Sequence, residues 1–202
     1  EIFKAFHSKS TISIRTNQPR CTQDELRAML DAEGVTVTAV DELNYAFVIS
    51  GFDYLNGLQS FRDGLFYVQD ISSMLVAQTA APKKGDYVID VCAAPGGKST
   101  HIAELLQGSG HVLARDLTDN KVDMIEENIE RHGLNNMSAE VWDATVPDVD
   151  SAGKADILIC DLPCSGLGVL GRKKDIRYKM TPESVDELAA LQRQILDTVH
   201  TY

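Results

Sequence analysis

The stretch from Asp90 to Lys98, with the sequence D-V-C-A-A-P-G-G-K, constrains the fold more than any other part of the chain. It directly follows the apolar run Tyr87-Val88-Ile89 and precedes a helical pattern, so it predicts a strand, a tight loop and a helix. A unit of this kind brings backbone N–H groups close to a ligand at the start of the helix. The glycine spacing differs from G-x-G-x-x-G, so the usual dinucleotide interpretation does not apply cleanly.

Strands and helices alternate from this unit to the end of the chain. Such alternation predicts an α/β fold with a parallel sheet that helices cover on both faces. In sheets of this type, ligands bind beyond the carboxyl ends of the strands. The predicted strands span residues 87–91, 111–115, 138–141 and 157–160, and the predicted helices span 99–106, 120–132 and 182–200.

The first part of the chain has a different pattern. Thr22 and Glu25 form a capping-box signature at the start of a predicted helix. Around this helix, alternating residues predict three strands, at 11–16, 35–40 and 45–50. The order β-α-β-β indicates a small α+β domain, which we place at residues 1–64. We place the second domain, with a Rossmann-like sheet, at residues 65–202.

The composition is that of an ordinary globular chain, with 202 residues of which 44% are hydrophobic and 24% are charged. No apolar run approaches the roughly 18 residues that a membrane-spanning helix requires. The cysteines include no C-x-x-C pair, which disfavours a zinc site, and Cys160 in an apolar run favours a reduced, intracellular chain. The chain begins with Glu1 and ends at Tyr202 inside a predicted helix, so we expect it to be part of a longer protein.

Carboxylates follow successive predicted strands of the second domain, namely Asp116, Asp143 and Asp161. A single aspartate in such a place is usually a helix cap or a solvated loop residue. Several of them at neighbouring strand ends would converge on one cleft. Asp116 lies 19 positions after Gly97, a spacing that suits a carboxylate accepting hydrogen bonds from ribose hydroxyls.

S-adenosylmethionine suits this cleft better than a dinucleotide does. A dinucleotide would require glycine where the chain has Pro95, and the carboxylates would repel a pyrophosphate. S-adenosylmethionine carries no phosphate, and its sulfonium and ammonium charges would be attracted to an acidic cleft. Gly96 and Gly97 would permit its close approach to the backbone. We therefore predict S-adenosylmethionine as the cofactor, with a nicotinamide cofactor as a distant alternative.

The fourth predicted strand ends in the sequence Asp161-Leu-Pro-Cys164. Cys164 could simply fill a tight turn. Its thiolate could instead add to carbon 6 of a cytosine, which would make carbon 5 nucleophilic enough to accept a methyl group. Asp161 could then hydrogen-bond the amino group and a ring nitrogen of the base. An amine methyltransferase is the alternative, but those enzymes commonly have an aromatic residue at the position that Cys164 occupies.

A short basic segment contrasts with the acidic balance of the chain. The formal net charge is −11, which does not fit a general nucleic-acid-binding surface. The segment could be a solvated surface loop, or it could contact phosphates next to the active site. It places five basic residues within eight positions, opposed only by Asp175: Arg172, Lys173, Lys174, Arg177 and Lys179.

Two of these motifs together resemble one family. The sequences C-A-A-P-G-G-K at 92–98 and D-L-P-C-S-G at 161–166 are similar to those of the Sun (Fmu) family of RNA cytosine-5 methyltransferases. The resemblance extends upstream to Arg15-Thr-Asn17, which matches an R-x-N strand, and to Val68-Gln69-Asp70, which matches a V-Q-D helix start. It covers nearly the whole chain. It implies a Rossmann-like S-adenosylmethionine-dependent methyltransferase sheet with a small N-terminal α+β domain.

The resemblance also implies roles for individual residues. Lys98 and Asp161 would touch a flipped cytidine, and Cys164 would assist release of the methylated RNA. Asp116 would bind the ribose of the cofactor and Asp143 the adenine edge. The whole cofactor-binding set would be Cys92, Ala93, Ala94, Pro95, Gly96, Gly97, Lys98, Asp116, Asp143 and Asp161.

The substrate implied by the resemblance is RNA whose target cytosine is unstacked. We expect the substrate to be 16S ribosomal RNA of the small subunit, with tRNA as the runner-up. We also expect a cytoplasmic location and neither a metal nor a membrane partner. The first domain could contact the RNA. The family's nucleophile is a cysteine in a Thr-Cys pair, and no such pair follows Cys164 in this chain. The alternative function is therefore a non-catalytic RNA-binding or ribosome-assembly module that retains a cofactor pocket.

Overall fold

The computed structural model of this protein describes residues 11–169 and 176–202. Within these residues the strands form two sheets of four strands each. The first sheet is antiparallel in the order β2-β3-β1-β4 and contains β1 (Ile12–Thr16), β2 (Thr36–Ala39), β3 (Ala46–Ser50) and β4 (Phe66–Val68). Helix α1 (Gln23–Ala32) lies between β1 and β2 in the chain, and the short helix α2 (Gln59–Arg62) precedes β4.

Helix α1 begins at the predicted capping box and packs on the first sheet. The Thr22 hydroxyl accepts a hydrogen bond from the backbone N–H of Glu25 at 3.3 Å, and the Glu25 carboxylate accepts one from the N–H of Thr22 at 2.8 Å. The buried face of α1 presents Leu26 and Leu30, which pack in one core with Phe47 of β3. The prediction of a β-α-β-β unit is confirmed.

The second sheet is parallel, with the strand order β7-β6-β5-β8. Since all its strands run in one direction, their carboxyl ends meet at one edge, where ligands are expected. Its strands are β5 (Tyr87–Asp90), β6 (His111–Asp116), β7 (Met137–Val141) and β8 (Ile157–Ile159). The helices that accompany it are α3 (Ile71–Ala80), α4 (Gly97–Leu105), α5 (Asp119–His132), α6 (Ile176–Lys179) and α7 (Pro182–Val199).

Helices cover both faces of the second sheet, as neighbouring residues of β5 demonstrate. Successive side chains of a strand point to opposite faces. Val88 accordingly belongs to a core that includes Ile102 of α4 and Ile125 of α5. The next residue, Ile89, belongs to a different core that includes Ile195 of α7. The predicted α/β fold with a parallel sheet between helices is confirmed.

Two details at the predicted boundaries are informative. Helix α7 ends at Val199, so the expectation that Tyr202 lies inside a helix is wrong. The carbonyl oxygens of Thr201 and Tyr202 instead accept hydrogen bonds from Gly153 and Ala155 at 2.8 and 2.9 Å. The domain boundary between residues 64 and 65 stays a prediction, and β4 on its C-terminal side is hydrogen-bonded to β1 of the first sheet.

The two sheet units pack closely against each other. Gly64 has a φ of +65°, and a Cβ atom built there would lie 1.8 Å from the carbonyl oxygen of Arg131 in α5. Only glycine permits this approach. Met74 of α3 packs in a core with Tyr45 of the first unit. None of the described helices is long and apolar enough to cross a membrane.

Candidate active site

The loop from Asp90 to Lys98 connects β5 to α4 at the carboxyl edge of the second sheet. Gly96 is the N-cap of α4 and has a φ of +97°, a left-handed conformation that L side chains rarely adopt. The backbone N–H of Gly96 donates to the carbonyl of Ala93 at 2.6 Å, which closes the turn. The glycine at this position therefore allows the chain to reverse and begin the helix within a few residues.

Asp90, at the end of β5, is buried directly beneath this loop. Its carboxylate accepts hydrogen bonds from the Ser99 hydroxyl at 2.6 Å and from the backbone N–H of Cys92 at 3.4 Å. Burial raises the pKa of the Asp90 carboxyl from 3.8 to about 6, although the hydrogen bonds from Ser99 and Cys92 favour the charged form. The carboxyl group thus joins the strand to the first turn of α4.

An Asp90→Asn substitution is expected to flatten the pH dependence of stability between about pH 4 and pH 6. Because the folded pKa of about 6 lies above the ordinary 3.8, the folded state binds this proton more tightly than the unfolded state does. The stabilisation is complete below pH 3.8 and is lost as the pH rises through about 6. Urea unfolding across this pH range measures it, with the exposed Asp123→Asn as a control. An unchanged slope in Asp90→Asn would contradict the assignment.

Asp116, at the end of β6, connects this loop to the neighbouring strand. Its carboxylate accepts hydrogen bonds from the backbone N–H groups of Ala94 at 2.9 Å and Leu117 at 2.8 Å. The Lys121 ammonium donates to the same carboxylate at 2.7 Å. Asp116 is buried, whereas the Lys121 side chain is half-exposed. The aspartate is therefore fixed by two backbone N–H groups inside the protein, and only its lysine partner reaches solvent.

A cavity of about 260 Å³ brings together the three carboxylates predicted from the strand ends. Asp143 is held within it by the Thr145 hydroxyl at 2.7 Å and the Thr145 N–H at 2.9 Å, and these bonds lower the pKa of the Asp143 carboxyl. Apolar side chains form the rest of the wall, which gives one cavity both acidic and apolar surfaces. Its lining includes Asp116, Leu117, Asp143, Ala144, Asp161, Leu191 and Ile195.

Asp161 lies where three cavities meet. It lines the acidic cavity, a second cavity of about 240 Å³ along the loop, and an open groove of about 540 Å³ beside β8 and α3. The Asp161 carboxylate accepts a hydrogen bond from the Lys98 ammonium at 2.5 Å. The Lys98 side chain is 20% exposed and that of Asp161 is 58% exposed, so the pair is accessible to a ligand.

The two cysteines of the predicted site are placed differently. Cys92 lines both smaller cavities, and burial, followed by the nearby Asp116 carboxylate, raises the pKa of its thiol to about 12. It is therefore a neutral thiol at physiological pH. Cys164 is exposed and is not among the described residues that line either smaller cavity. Its turn is held by Gln192 of α7, whose side-chain amide donates to the carbonyl of Pro163 at 2.7 Å.

The predicted basic segment falls largely outside the part of the chain that the structure describes. Arg172, Lys173 and Lys174 lie outside the described residues. Arg177 and Lys179 belong to α6, but their side chains are also outside the described part. The role of this segment in RNA binding stays a prediction.

Four side chains that were assigned no role from the sequence support the loop. The Tyr67 hydroxyl and the Asn128 amide donate to the carbonyl of Pro95 at 3.1 and 3.0 Å. Arg15 and Gln69 donate to the carbonyl of Gly97 at 3.0 and 3.1 Å. Arg15 and Gln69 fall within the R-x-N and V-Q-D segments that resemble the family. That resemblance is the sequence signal that could have pointed to these two supporting residues. The cofactor-binding roles of the loop residues themselves stay predictions.

Comparison with known proteins identifies relatives along most of the chain. The family model for the 16S rRNA methyltransferase RsmB/F matches residues 77–202. A probable ribosomal RNA small subunit methyltransferase B of Bacillus subtilis is 39% identical over 186 residues, which are 91% of this chain and 41% of that protein. A tRNA (cytosine(72)-C(5))-methyltransferase of Pyrococcus horikoshii is 39% identical over 143 residues, which are 70% of this chain and 36% of that protein.

A solved structure confirms the fold. The crystal structure of NSun6 from Pyrococcus horikoshii with SFG has a TM-score of 0.85 at 24% identity and covers 98% of this chain and 74% of that one. The chain spans less than half the length of the two sequence relatives above. The family model, in contrast, covers more than half of the chain, from α3 through the loop, Asp116, Asp143 and Asp161. This chain belongs to the 16S rRNA methyltransferase RsmB/F family.

Proposed function

We propose that this chain is the catalytic region of an S-adenosylmethionine-dependent RNA cytosine-5 methyltransferase that acts on small-subunit ribosomal RNA. The observation that carries the proposal is the position of Asp161, paired with Lys98 at the junction of three cavities. A methyltransferase must bring a cofactor and a substrate base to one point from different directions. The Lys98–Asp161 pair occupies such a point.

The chemistry of the acidic cavity suits S-adenosylmethionine. Asp116 can accept hydrogen bonds from ribose hydroxyls, and the apolar wall formed by Ala144, Leu191 and Ile195 suits an adenine ring. The described lysines that line the smaller cavities, Lys98 and Lys121, are both paired with carboxylates. A pyrophosphate would therefore meet carboxylates and already paired cations, which disfavours a dinucleotide.

The residues around Asp161 would then position the base. When bound, S-adenosylmethionine supplies an electrophilic methyl group on its sulfonium. The Asp161 carboxylate can accept a hydrogen bond from the amino group of a cytosine, and Lys98 holds that carboxylate in place. Cys164 lies three residues further along an exposed turn, where its thiol can reach a substrate without blocking the cofactor cavity. The assistance of Cys164 in product release belongs to this proposal.

The RNA substrate is supported by membership of the family rather than by a described RNA-binding surface. The relative from Bacillus subtilis is named for small-subunit ribosomal RNA and the relative from Pyrococcus horikoshii for tRNA. We propose 16S ribosomal RNA, with tRNA as the second candidate, and a cytoplasmic site of action where both RNAs occur. The basic segment at 172–179 would contact phosphates beside the active site.

Calorimetric titration with S-adenosylmethionine tests the cofactor assignment. We expect the unmodified chain to bind, and Asp116→Asn to bind about 10- to 100-fold more weakly. The amide of asparagine cannot accept all the hydrogen bonds that the carboxylate receives from Ala94 and Leu117, so both the ribose site and the loop are affected. The matched control is Asp123→Asn, an exposed position on the same helix as Lys121.

Two outcomes would count against this proposal. The first is the absence of binding by the unmodified chain at millimolar cofactor, which would favour the non-catalytic alternative. The second is equal affinity of Asp116→Asn and Asp123→Asn, which would show that the ribose lies elsewhere. Mapping of 5-methylcytidine in RNA treated with the complete gene product would then separate ribosomal RNA from tRNA as the substrate.

A further inference from the structure

The loop from Asp90 to Lys98, which runs into the first turn of α4, is held by side chains from the first sheet unit as well as by its own sheet. Arg15 of β1 and Gln69, which directly follows β4, both donate to the carbonyl oxygen of Gly97, at 3.0 and 3.1 Å. Arg15 precedes Gly97 by 82 positions and Gln69 by 28. Two distant segments therefore converge on one backbone carbonyl of the candidate cofactor loop.

The guanidinium of Arg15 is fixed before it reaches this carbonyl. Arg15 is 1% exposed, and it donates to the Glu104 carboxylate from Nε at 3.1 Å and from Nη2 at 2.8 Å. A paired contact of this kind fixes the plane of the guanidinium. Nη2 also donates to the Thr100 hydroxyl at 3.2 Å. With these partners on α4 itself, Arg15 can hold the Gly97 carbonyl in only one direction.

The position of Gln69 is fixed by hydrogen bonds of its own backbone to Ser13. Its N–H donates to the carbonyl of Ser13 at 3.1 Å, and its carbonyl accepts from the Ser13 hydroxyl at 2.7 Å. Its side-chain oxygen accepts a hydrogen bond from Arg15, and its side-chain nitrogen donates to Gly97. Gln69 is buried and lines the cavity along the loop, together with Gly97 and Lys98.

The Gly97 carbonyl controls the adjacent peptide group. A peptide unit is planar, so a fixed carbonyl of Gly97 also fixes the N–H of Lys98, which points the opposite way. The same peptide group carries the Cα of Lys98, whose side chain must reach Asp161. Rotation of this peptide group would displace both the first turn of α4 and the lysine of the pair.

We propose that Arg15 and Gln69 are positioning residues for the cofactor loop, so that the first sheet unit forms part of the cofactor site. This inference rests on the proposed function for its ligand, S-adenosylmethionine. The geometry itself, a buried arginine and a buried glutamine on one carbonyl, does not depend on that ligand. It assigns to the small unit a role in cofactor affinity, separate from any contact with RNA.

Gln69→Glu is the sharpest test. Glutamate keeps an oxygen that accepts from Arg15, but its second oxygen would face the Gly97 carbonyl where a donor is now present. We expect amide hydrogen exchange at Ala94 and Gly96 to accelerate about tenfold, and S-adenosylmethionine affinity to fall about tenfold. Gln69→Leu removes the donor without adding charge and should give the same pattern if the glutamate variant folds poorly.

Arg20→Ala is the matched control. Arg20 joins the two units on an exposed surface, where it donates to the carbonyls of Asp63 at 2.8 Å and Arg131 at 3.0 Å without touching the loop. Its loss should leave loop exchange and cofactor affinity unchanged. An equal loss in Arg20→Ala would mean that general contact between the units, rather than positioning of the carbonyl, is responsible.

Amide hydrogen exchange and S-adenosylmethionine affinity together distinguish a failure of the positioning inference from a failure of the cofactor assignment. Unchanged exchange at Ala94 and Gly96 in both Gln69 variants would overturn the inference, as would accelerated exchange with unchanged cofactor affinity. Accelerated exchange in a chain that binds no S-adenosylmethionine before substitution would instead overturn the cofactor assignment and leave the positioning of the loop established.

Discussion

Glu104→Gln is expected to destabilise the folded protein by about 3–5 kcal/mol, because it leaves a buried arginine without its counter-charge. The Arg15 side chain is 1% exposed and that of Glu104 is 4% exposed, so water cannot replace the lost carboxylate. Burial also lowers the pKa of His132, whose Nδ1 lies 3.4 Å from Glu104, so the histidine supplies no compensating charge. Urea unfolding at pH 7 measures the effect.

Replacing both Arg15 and Glu104 with hydrophobic residues separates the effect of the unpaired charge on stability from the effect of lost packing. Arg15→Met combined with Glu104→Leu should recover most of the stability that Glu104→Gln loses, since apolar residues of similar volume can replace a buried ion pair. The double variant should nevertheless bind S-adenosylmethionine weakly, because a methionine side chain cannot donate a hydrogen bond to the Gly97 carbonyl as Arg15 does. A double variant as unstable as Glu104→Gln would show that the loss arises from packing rather than from an unpaired charge.

The sequence predicted the parts of the site that depend on local order. The apolar run before Asp90 and the glycines after it predicted the strand, the loop and the helix. Parallel strands end at one edge of a sheet, so the positions of Asp116, Asp143 and Asp161 after strand ends were sufficient to predict a shared cleft. The three carboxylates do line one cavity. Local propensity and parallel topology together account for this agreement.

The supports of the loop could not be predicted in the same way. Arg15 lies in an antiparallel strand of another sheet, and nothing in its own segment indicates that its partner is Glu104, 89 positions later. A buried arginine also contradicts the usual expectation that charged residues are exposed. Its location depends on how the two units pack, which is a long-range property. The predicted bounds of α7, 182–200, agree with the observed helix to within one residue. Tyr202 was wrongly expected inside it because no proline or glycine follows His200 to stop the helical pattern.

Asp161→Asn is expected to reduce methyl transfer by about 10²- to 10⁴-fold in the complete gene product. Asparagine keeps nearly the same volume but loses the charge that pairs with the Lys98 ammonium at 2.5 Å. The base would then lose a charged hydrogen-bond acceptor, and Lys98 would no longer be held at the junction of the cavities. The Asp161 side chain is 58% exposed, so the substitution should leave the stability of the fold nearly unchanged.

Comparison of turnover with cofactor affinity decides whether Asp161 acts on the base. Incorporation of labelled methyl groups into 16S ribosomal RNA should fall far more than S-adenosylmethionine affinity does, since Asp116 and Asp143 remain in the acidic cavity. Asp156→Asn is the matched control, because Asp156 immediately precedes β8, at the opposite end of that strand from Asp161. The side-chain oxygen of the new asparagine can still accept the hydrogen bond that the N–H of Tyr87 donates to Asp156. If Asp161→Asn retained more than about a tenth of the activity, its contribution would fall below that of a positioned catalytic group, and Lys98 alone would have to orient the cytosine.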